Sequence, residues 1–156
     1  MVATQSNMVP LGTKAPPFSL MDSVSKKTNY FSFETQGKGF LVAFICNHCP
    51  YVVHLNKHFP TFFNSLEELE IKVYAISSND AVSYPDDSPE KMAIEAKRLQ
   101  FNFPYLYDET QSVAKLYNAA CTPDFFLFNK DKELFYRGQY DETRPGKKEE
   151  VNGFDL

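Results

Sequence analysis

The strongest constraint in this sequence is a buried-strand pattern that runs directly into a pair of cysteines. Residues 40–45, Phe-Leu-Val-Ala-Phe-Ile, are continuously apolar and follow Gly37 and Gly39, which is typical of a strand buried on both faces of a sheet. Residues 46–50, Cys-Asn-His-Cys-Pro, come next, and proline favours the first turn of a helix. The sequence therefore predicts a strand, a Cys-x-x-Cys turn and a helix in succession.

The rest of the chain alternates strand and helix patterns. Strands are predicted over 17–23, 28–33, 71–76, 105–107, 125–128 and 134–137, and the first two form an N-terminal hairpin. Helices are predicted over 50–66, where Pro60 kinks or divides the helix, over 89–101 and around 113–117. Such alternation predicts an α/β fold with helices on both faces of a sheet.

Length and composition limit the organisation and the partners. A chain of 156 residues that is 43% hydrophobic can bury one sizeable core, so we predict a single domain over 1–156 with a loose arm at 1–16 and an irregular tail at 139–156. A net charge of −4 argues against nucleic acid as a partner. The longest apolar run, 40–46, is far shorter than the roughly 20 residues of a membrane-spanning helix. Residues 1–8 lack a secretory signal pattern, so we expect a cytoplasmic protein without a membrane partner.

The two closely spaced cysteines indicate redox chemistry. Three cysteines are too few for a structural disulfide framework. If Cys46 and Cys49 both lie on the first turn of a helix, a disulfide between them is geometrically feasible, and the helix N-terminus lowers the pKa of Cys46. Cys46 is then the candidate nucleophile, and Cys49, expected to be less exposed, resolves the mixed disulfide. His48 would favour the thiolate further with a positive charge or an N–H donor.

A metal site is the alternative interpretation of the same cysteines. A Cys-x-x-Cys pair is half of a zinc site, and Cys121, His54 and His58 are candidates for the missing ligands. On one helix, however, the two histidines would lie too far from the cysteines for one ion to bind them all. For these histidines a solvated helix face is the simpler interpretation.

The segment before the strand 125–128 also has two interpretations. Pro123 is well suited to the start of a strand, where it needs no ladder partner. Alternatively, a cis Thr122–Pro123 bond lies against the cysteines and exposes the backbone of residue 122 to an incoming extended peptide. Cys121 is either a third redox thiol or a small buried apolar residue.

Together these motifs resemble the thioredoxin superfamily, and more narrowly its redoxin or peroxiredoxin-like, AhpC/TSA-related branch that carries a Cys-x-x-Cys motif. The likeness rests on residues 44–52, 76–80, 120–124 and 136–139 and spans about 10 to 146. It implies a thioredoxin-like fold with a central mixed β-sheet flanked by helices. It also implies that Cys46 is the nucleophile, Cys49 the resolving thiol and Pro123 a cis-proline, and that the Asn47-His48 pair is like those of oxidising members.

The sequence departs from this branch in two respects. Peroxidases of the superfamily use a Pro-x-x-x-Thr-x-x-Cys pattern, whereas Gly39 and Ala43 occupy the proline and threonine positions before Cys46. The resemblance also implies a C-terminal helix, but residues 139–156 have no helical pattern. We therefore expect this helix to be missing and the apolar sheet surface to be open or covered by a second copy in a homodimer.

The interpretation favoured by the sequence is a thiol–disulfide oxidoreductase that cycles Cys46 and Cys49 between dithiol and disulfide without a cofactor or metal. Its partner is a protein or a small-molecule thiol or disulfide. A thiol peroxidase using Cys46 and a metal-binding module are the alternatives. Potentials of Cys-x-x-Cys proteins span about −270 to −120 mV. His48 favours the oxidising end, and a cytoplasmic location favours the reducing end.

Overall fold

The computed structural model describes residues 4–34 and 37–156, and these residues form seven strands and four α-helices. The strands are β1 (Phe18–Asp22), β2 (Thr28–Phe31), β3 (Gly39–Phe44), β4 (Ile71–Ser77), β5 (Tyr105–Tyr107), β6 (Asp124–Asn129) and β7 (Leu134–Gly138). The helices are α1 (Pro50–Leu55), α2 (Phe59–Glu68), α3 (Pro89–Arg98) and α4 (Ser112–Tyr117), and a 3-10 helix covers Pro85–Asp87. Every predicted strand is present, with only its ends shifted.

The strands form one mixed sheet in the order β2-β1-β5-β4-β3-β6-β7. β3 runs parallel to β4 on one side and antiparallel to β6 on the other. All the residues of β3 are buried, because strands satisfy both of its backbone edges and the two faces of the sheet are covered. The predicted central mixed sheet, with its flanking helices and N-terminal hairpin β1–β2, is confirmed.

The carboxyl end of β3 brings three separate segments together. Phe44 lies opposite Ile76 near the end of β4 and opposite Asp124 at the start of β6. Parallel strands end at the same edge of a sheet, and an antiparallel neighbour begins there. The chain after β3, the loop after β4 and the segment before β6 therefore meet at this edge.

The two faces of the sheet carry separate apolar cores because side chains alternate along each strand. Helices α1, α2 and α3 cover the face that presents Leu41 and Ala43, whereas α4 covers the face that presents Val42 and Phe44. Both cysteines of the Cys-x-x-Cys motif belong to the first of these cores. The candidate site is therefore anchored in the apolar core beneath α1, α2 and α3.

The helix predicted over 50–66 is divided, as Pro60 indicated. Pro60 lies in the first turn of α2, where its missing N–H has no helical partner. α3 ends at Arg98, before the predicted end at 101, because Gln100 adopts a left-handed φ of 57°. None of the helices in the described ranges combines the length and the apolar character needed to cross a lipid bilayer.

The N-terminal arm, which we predicted to be loose, is hydrogen-bonded to the sheet. Residues 4–16 contain no helix or strand, but the Gly12 N–H donates to the carbonyl of Leu134 at 2.8 Å. The Leu134 N–H in turn donates to the carbonyl of Thr13 at 2.8 Å. The arm therefore lies along β7 as an irregular, hydrogen-bonded segment, while residues 1–3 lie outside the described residues.

The C-terminal tail, residues 139–156, contains neither helix nor strand, as predicted. The ring of Tyr140, which is 1% exposed, lies 5.4 Å from that of Phe59 on α2 and 5.5 Å from that of Phe125 on β6. The N–H of Leu156 donates to the carbonyl of Tyr140 at 3.2 Å, so the tail folds back on itself. The tail thus covers part of the apolar surface that we expected to find open or covered by a second copy.

Candidate active site

Cys46 lies just beyond the end of β3, and Cys49 is the N-cap of α1. The Ile45 N–H still donates to the carbonyl of Ile76 at 2.9 Å, so the ladder reaches the residue before Cys46. The helix begins only at Pro50, and a bend separates the two cysteines. The prediction that both cysteines lie on the first helical turn is wrong for Cys46, because the chain must turn out of the sheet before helical hydrogen bonds can form.

The segment before β6 contacts both cysteines through one residue. The Sγ of Cys46 lies 3.5 Å from the Oγ1 of Thr122, and the Cys49 thiol donates to the Thr122 carbonyl at 3.4 Å. The peptide bond between Thr122 and Pro123 is cis. Both cysteines are free thiols. Thr122 therefore aligns a dithiol against an irregular backbone segment at the edge of the sheet.

Burial and mutual hydrogen bonding control the ionisation of the two thiols. The pKa of Cys49 is lowered to about 5, chiefly by the hydrogen bond from Cys46 and, to a smaller extent, by the Thr122 side chain and the backbone N–H groups of Val52 and Tyr51. The same bond, together with burial, raises the pKa of Cys46. The two sulfurs therefore share one proton, and the lowered pKa expected at Cys46 is a property of the pair.

The relative exposure of the cysteines also differs from expectation. Cys46 is 2% exposed and Cys49 is 7% exposed, so Cys46 is the less exposed of the two, whereas we predicted that Cys49 would be. Cys46 is the more enclosed because it continues directly from the central strand. Neither sulfur is freely open to solvent.

An ultraviolet titration of thiolate absorbance on the reduced Cys121→Ser variant is expected to show a first ionisation near pKa 5. The physical reason is that one thiolate of the pair accepts the S–H of the other. The variant serves to remove a third thiol, since burial raises the pKa of Cys121 to about 11. A single ionisation near the ordinary cysteine value of about 8.5 would contradict this shared proton.

Asp87 is the residue of this site that sequence analysis missed. It lies at the end of the 3-10 helix and is 0% exposed. Its Oδ1 accepts the backbone N–H groups of Asn47 and His48 at 2.7 and 3.3 Å. Its Oδ2 accepts a hydrogen bond from the Nδ2 of Asn79 at 2.9 Å and also pairs with the Nδ1 of His48. The carboxylate therefore anchors both residues that lie between the cysteines.

The sequence offered only an indirect signal for Asp87. Residues 77–87 are mostly polar and typical of a loop, and nothing in their pattern singles out one of the acids. The usable signal is topological, because the loop after a parallel strand next to β3 must leave from the same edge as Cys46. Sequence alone does not fix which strand is that neighbour.

The two predicted supporting residues between the cysteines are held on several sides. The ring of His48 stacks on that of Tyr84, with centroids 4.4 Å apart and planes 7° apart. The Oδ1 of Asn47 accepts the hydroxyl of Tyr105 at 3.0 Å. We predicted that His48 would stabilise a thiolate, but its Nδ1 pairs with the carboxylate of Asp87. The ring nitrogen expected to support a thiolate is therefore engaged by a buried carboxylate.

The site lies within a region that matches a known family. Residues 11–137, which include Cys46, Cys49 and Pro123, match the model of the AhpC/TSA family. The chain belongs to the AhpC/TSA family. The resemblance stated from the sequence motifs is thus confirmed at the level of the family, while comparison with curated proteins found no match.

Solved structures confirm the thioredoxin-like fold of this AhpC/TSA chain. It is similar to an uncharacterised conserved protein of Geobacillus kaustophilus, with 45% identity and a TM-score of 0.94 over 99% of this chain and 82% of that one. A hypothetical protein of Sinorhizobium meliloti is 41% identical, with a TM-score of 0.93 over 97% of this chain and 82% of that one. The thioredoxin domain of a thiol-disulfide oxidoreductase of Bacteroides vulgatus, 15% identical, shares the fold with a TM-score of 0.68 over 85% and 90% of the two chains.

Cys121 lies beside the site of this AhpC/TSA family member without joining the pair. It is partly buried, and its thiol donates weakly to the carbonyl of Pro123 at 3.9 Å. Burial raises its pKa to about 11. Its thiol bonds within its own segment, whereas Thr122 contacts the sulfurs of Cys46 and Cys49, so Cys121 is a supporting residue by position only.

The histidines considered as metal ligands contact the C-terminal tail. The Nε2 of His54 lies 2.9 Å from the Oγ1 of Thr143, and the Nδ1 of His58 lies 2.6 Å from the hydroxyl of Tyr140. The expectation of a solvated helix face is therefore wrong for both. These contacts fix the tail to α1 and to the start of α2, and they do not bring either histidine to the cysteines.

One cluster of the described residues has donor atoms close enough to share a metal ion. It consists of Cys46, His48 and Asp87, whose potential ligand atoms lie within 4.8 Å of one another. The oxygens of Asp87 already accept hydrogen bonds from three N–H donors besides the His48 ring. A carboxylate with this many partners is better suited to anchor a loop than to bind an ion.

Proposed function

We propose that this protein is a thiol–disulfide oxidoreductase that works by reversible exchange at Cys46 and Cys49. The observation that carries the proposal is the contact of one residue, Thr122, with both sulfurs, at 3.5 Å through its hydroxyl and at 3.4 Å through its carbonyl. Two thiols in one hydrogen-bonded pair, beside an irregular backbone segment, can accept an extended chain that carries a disulfide.

The exchange proceeds in two balanced steps. In the first step the Sγ of Cys46 attacks one sulfur of the partner's disulfide, and the proton of the Cys46 thiol passes to the Cys49 thiolate. The partner's other sulfur leaves as a thiolate and takes this proton from Cys49, so that Cys49 is again a thiolate. In the second step the Cys49 thiolate attacks the Sγ of Cys46. The partner sulfur that was bound to Cys46 leaves and takes a proton from solvent. The protein has lost two electrons and now carries the Cys46–Cys49 disulfide, while the partner is reduced.

The partner in this proposal is a protein or a small-molecule disulfide. Both sulfurs are buried, so the partner must approach along the edge formed by Thr122. The chemistry of two thiols requires neither cofactor nor metal. A cytoplasmic location and a homodimer stay predictions from the sequence.

A redox titration in glutathione buffers is expected to show one reversible two-electron transition. Thiols are trapped with an alkylating reagent and counted by intact mass in the wild type and in Cys121→Ser. We expect both to show the same midpoint, because Cys121 does not contribute to the couple. Absence of a reversible transition in the wild type would refute the proposed function.

A thiol peroxidase is the second candidate because a hydroxyl lies next to Cys46, although it comes from Thr122. β3 supplies no hydroxyl, since Ala43 occupies the threonine position of the peroxidase pattern and is 0% exposed. A Cβ at Gly39, the proline position, would lie 2.3 Å from the carbonyl oxygen of Phe128. Rapid loss of peroxide with the reduced protein, abolished in Cys46→Ser, would favour the peroxidase over the oxidoreductase.

A further inference from the structure

The buried carboxylate of Asp87 lies close enough to the cysteines to influence their redox chemistry. A carboxylate oxygen of Asp87, a ring nitrogen of His48 and the Sγ of Cys46 lie within 4.8 Å of one another. Asp87 is 0% exposed, so little solvent screens its charge from the sulfur. The carboxylate is therefore among the charges that act most directly on this sulfur.

We propose that Asp87 shifts the potential of the Cys46–Cys49 couple toward the reducing end, because its carboxylate opposes negative charge at Cys46 and engages the ring of His48. This inference rests on the proposed function and identifies what tunes it. The reduced form of a Cys-x-x-Cys pair carries thiolate charge that the disulfide lacks. A neighbouring negative charge destabilises the reduced form and makes the couple a stronger reductant.

The hydrogen bonds of Asp87 hold its charge at this place. Its oxygens accept the backbone N–H groups of Asn47 and His48 and the side-chain amide of Asn79. These donors come from the turn between the cysteines and from the loop after β4, so the carboxylate cannot turn away from the sulfurs without losing them. The Asp87 charge also contributes to a raised pKa at Cys46, after the bond to Cys49 and burial.

His48 is the imidazole that contacts Asp87 in this arrangement. Its Nδ1 pairs with the Oδ2 of Asp87, and its ring stacks on that of Tyr84. Alone, a protonated histidine beside Cys46 would stabilise a thiolate and raise the potential. Here the Nδ1 of His48 pairs with the Asp87 carboxylate, so the oxidising character predicted from Asn47-His48 is offset.

The test compares midpoint potentials in glutathione buffers for wild type, Asp87→Asn and the matched control Asp86→Asn. Asp86 is an exposed neighbour, and its removal changes the net charge equally. We expect Asp87→Asn to raise the equilibrium constant for reduction of the couple by glutathione at least about tenfold, which corresponds to about 30 mV toward the oxidising end. The control is expected to change it by less than about twofold, because solvent screens an exposed charge.

A third variant, His48→Gln, is expected to shift the midpoint in the opposite direction, because the Asp87 carboxylate then loses its imidazole partner and acts more strongly on Cys46. This variant keeps Asp87 and so provides a reading even if Asp87→Asn does not fold, as judged by circular dichroism.

An unchanged midpoint in Asp87→Asn with slower exchange would assign Asp87 a purely structural role and overturn the inference. Shifts of the same sign in Asp87→Asn and His48→Gln would also overturn it. Failure of the proposed function is distinguishable, since the wild type itself would then show no reversible couple.

Discussion

Serine in place of Cys46 is expected to slow reduction of a small-molecule disulfide by a factor on the order of 1,000 or more, because the attacking sulfur is removed. Serine in place of Cys49 is expected to stop turnover after the first step, since the mixed disulfide on Cys46 can no longer be resolved. The measurements are the release of partner thiol over time and the intact mass of the protein. The Cys49→Ser variant should gain the mass of one partner thiol.

Cys121→Ser is the matched control, because it removes the third thiol without touching the pair, and it should retain the wild-type rate. The same set of variants decides which sulfur attacks. A mixed disulfide trapped in Cys46→Ser and absent from Cys49→Ser would contradict the assigned roles. It would make Cys49, whose pKa is lowered to about 5, the nucleophile.

The second large effect is expected at the buried ion pair behind the active-site segment. The Nη2 of Arg137 lies 3.0 Å from the Oδ2 of Asp124, and both side chains are 0% exposed. Arg137→Met leaves the carboxylate of Asp124 buried without its cation, so the free energy of unfolding should fall by about 3–5 kcal/mol. Denaturant unfolding of the reduced protein measures this loss. The loss should shrink at acid pH, because burial raises the pKa of Asp124 and the protonated carboxyl carries no charge.

Two further variants test this explanation. Combining Arg137→Met with Asp124→Asn removes both charges and should recover much of the lost stability. Lys38→Met breaks the exposed pair with Glu70, where N and O lie 3.6 Å apart, and should cost less than about 1 kcal/mol. If the double variant is as unstable as Arg137→Met alone, the loss comes from packing over Phe126, whose ring centroid lies 4.2 Å from the guanidinium carbon.

The elements that sequence patterns predicted well are those that short-range physics controls. The apolar run 40–45 gave the central strand because only a strand with neighbours on both sides buries such a run completely. Pro60 marked the division between α1 and α2 because proline cannot supply an interior helical N–H. The helix predicted from residue 89 begins there in the structure, after Ser88, whose hydroxyl caps α3 by accepting the N–H of Lys91.

The predictions that failed depend on groups that are distant in the chain. His54 and His58 were expected to face solvent, but they bind Thr143 and Tyr140 of the tail. The lowered pKa was expected at Cys46, but it depends on which sulfur accepts the shared hydrogen bond and on a carboxylate from another loop. Local propensity contains no information about either contact.

By itself the sequence determined that a buried strand leads into Cys46 and Cys49, that helices follow, and that the chain resembles redox proteins of the AhpC/TSA type. These features depend on periodicity and on spacing within one element. Only the tertiary structure decided that Asp87 anchors the turn between the cysteines, since its bond to the Asn47 N–H joins residues 40 positions apart. Such a contact exists because β3 and β4 run parallel and end at one edge, and the pairing of strands is a property of the whole sheet.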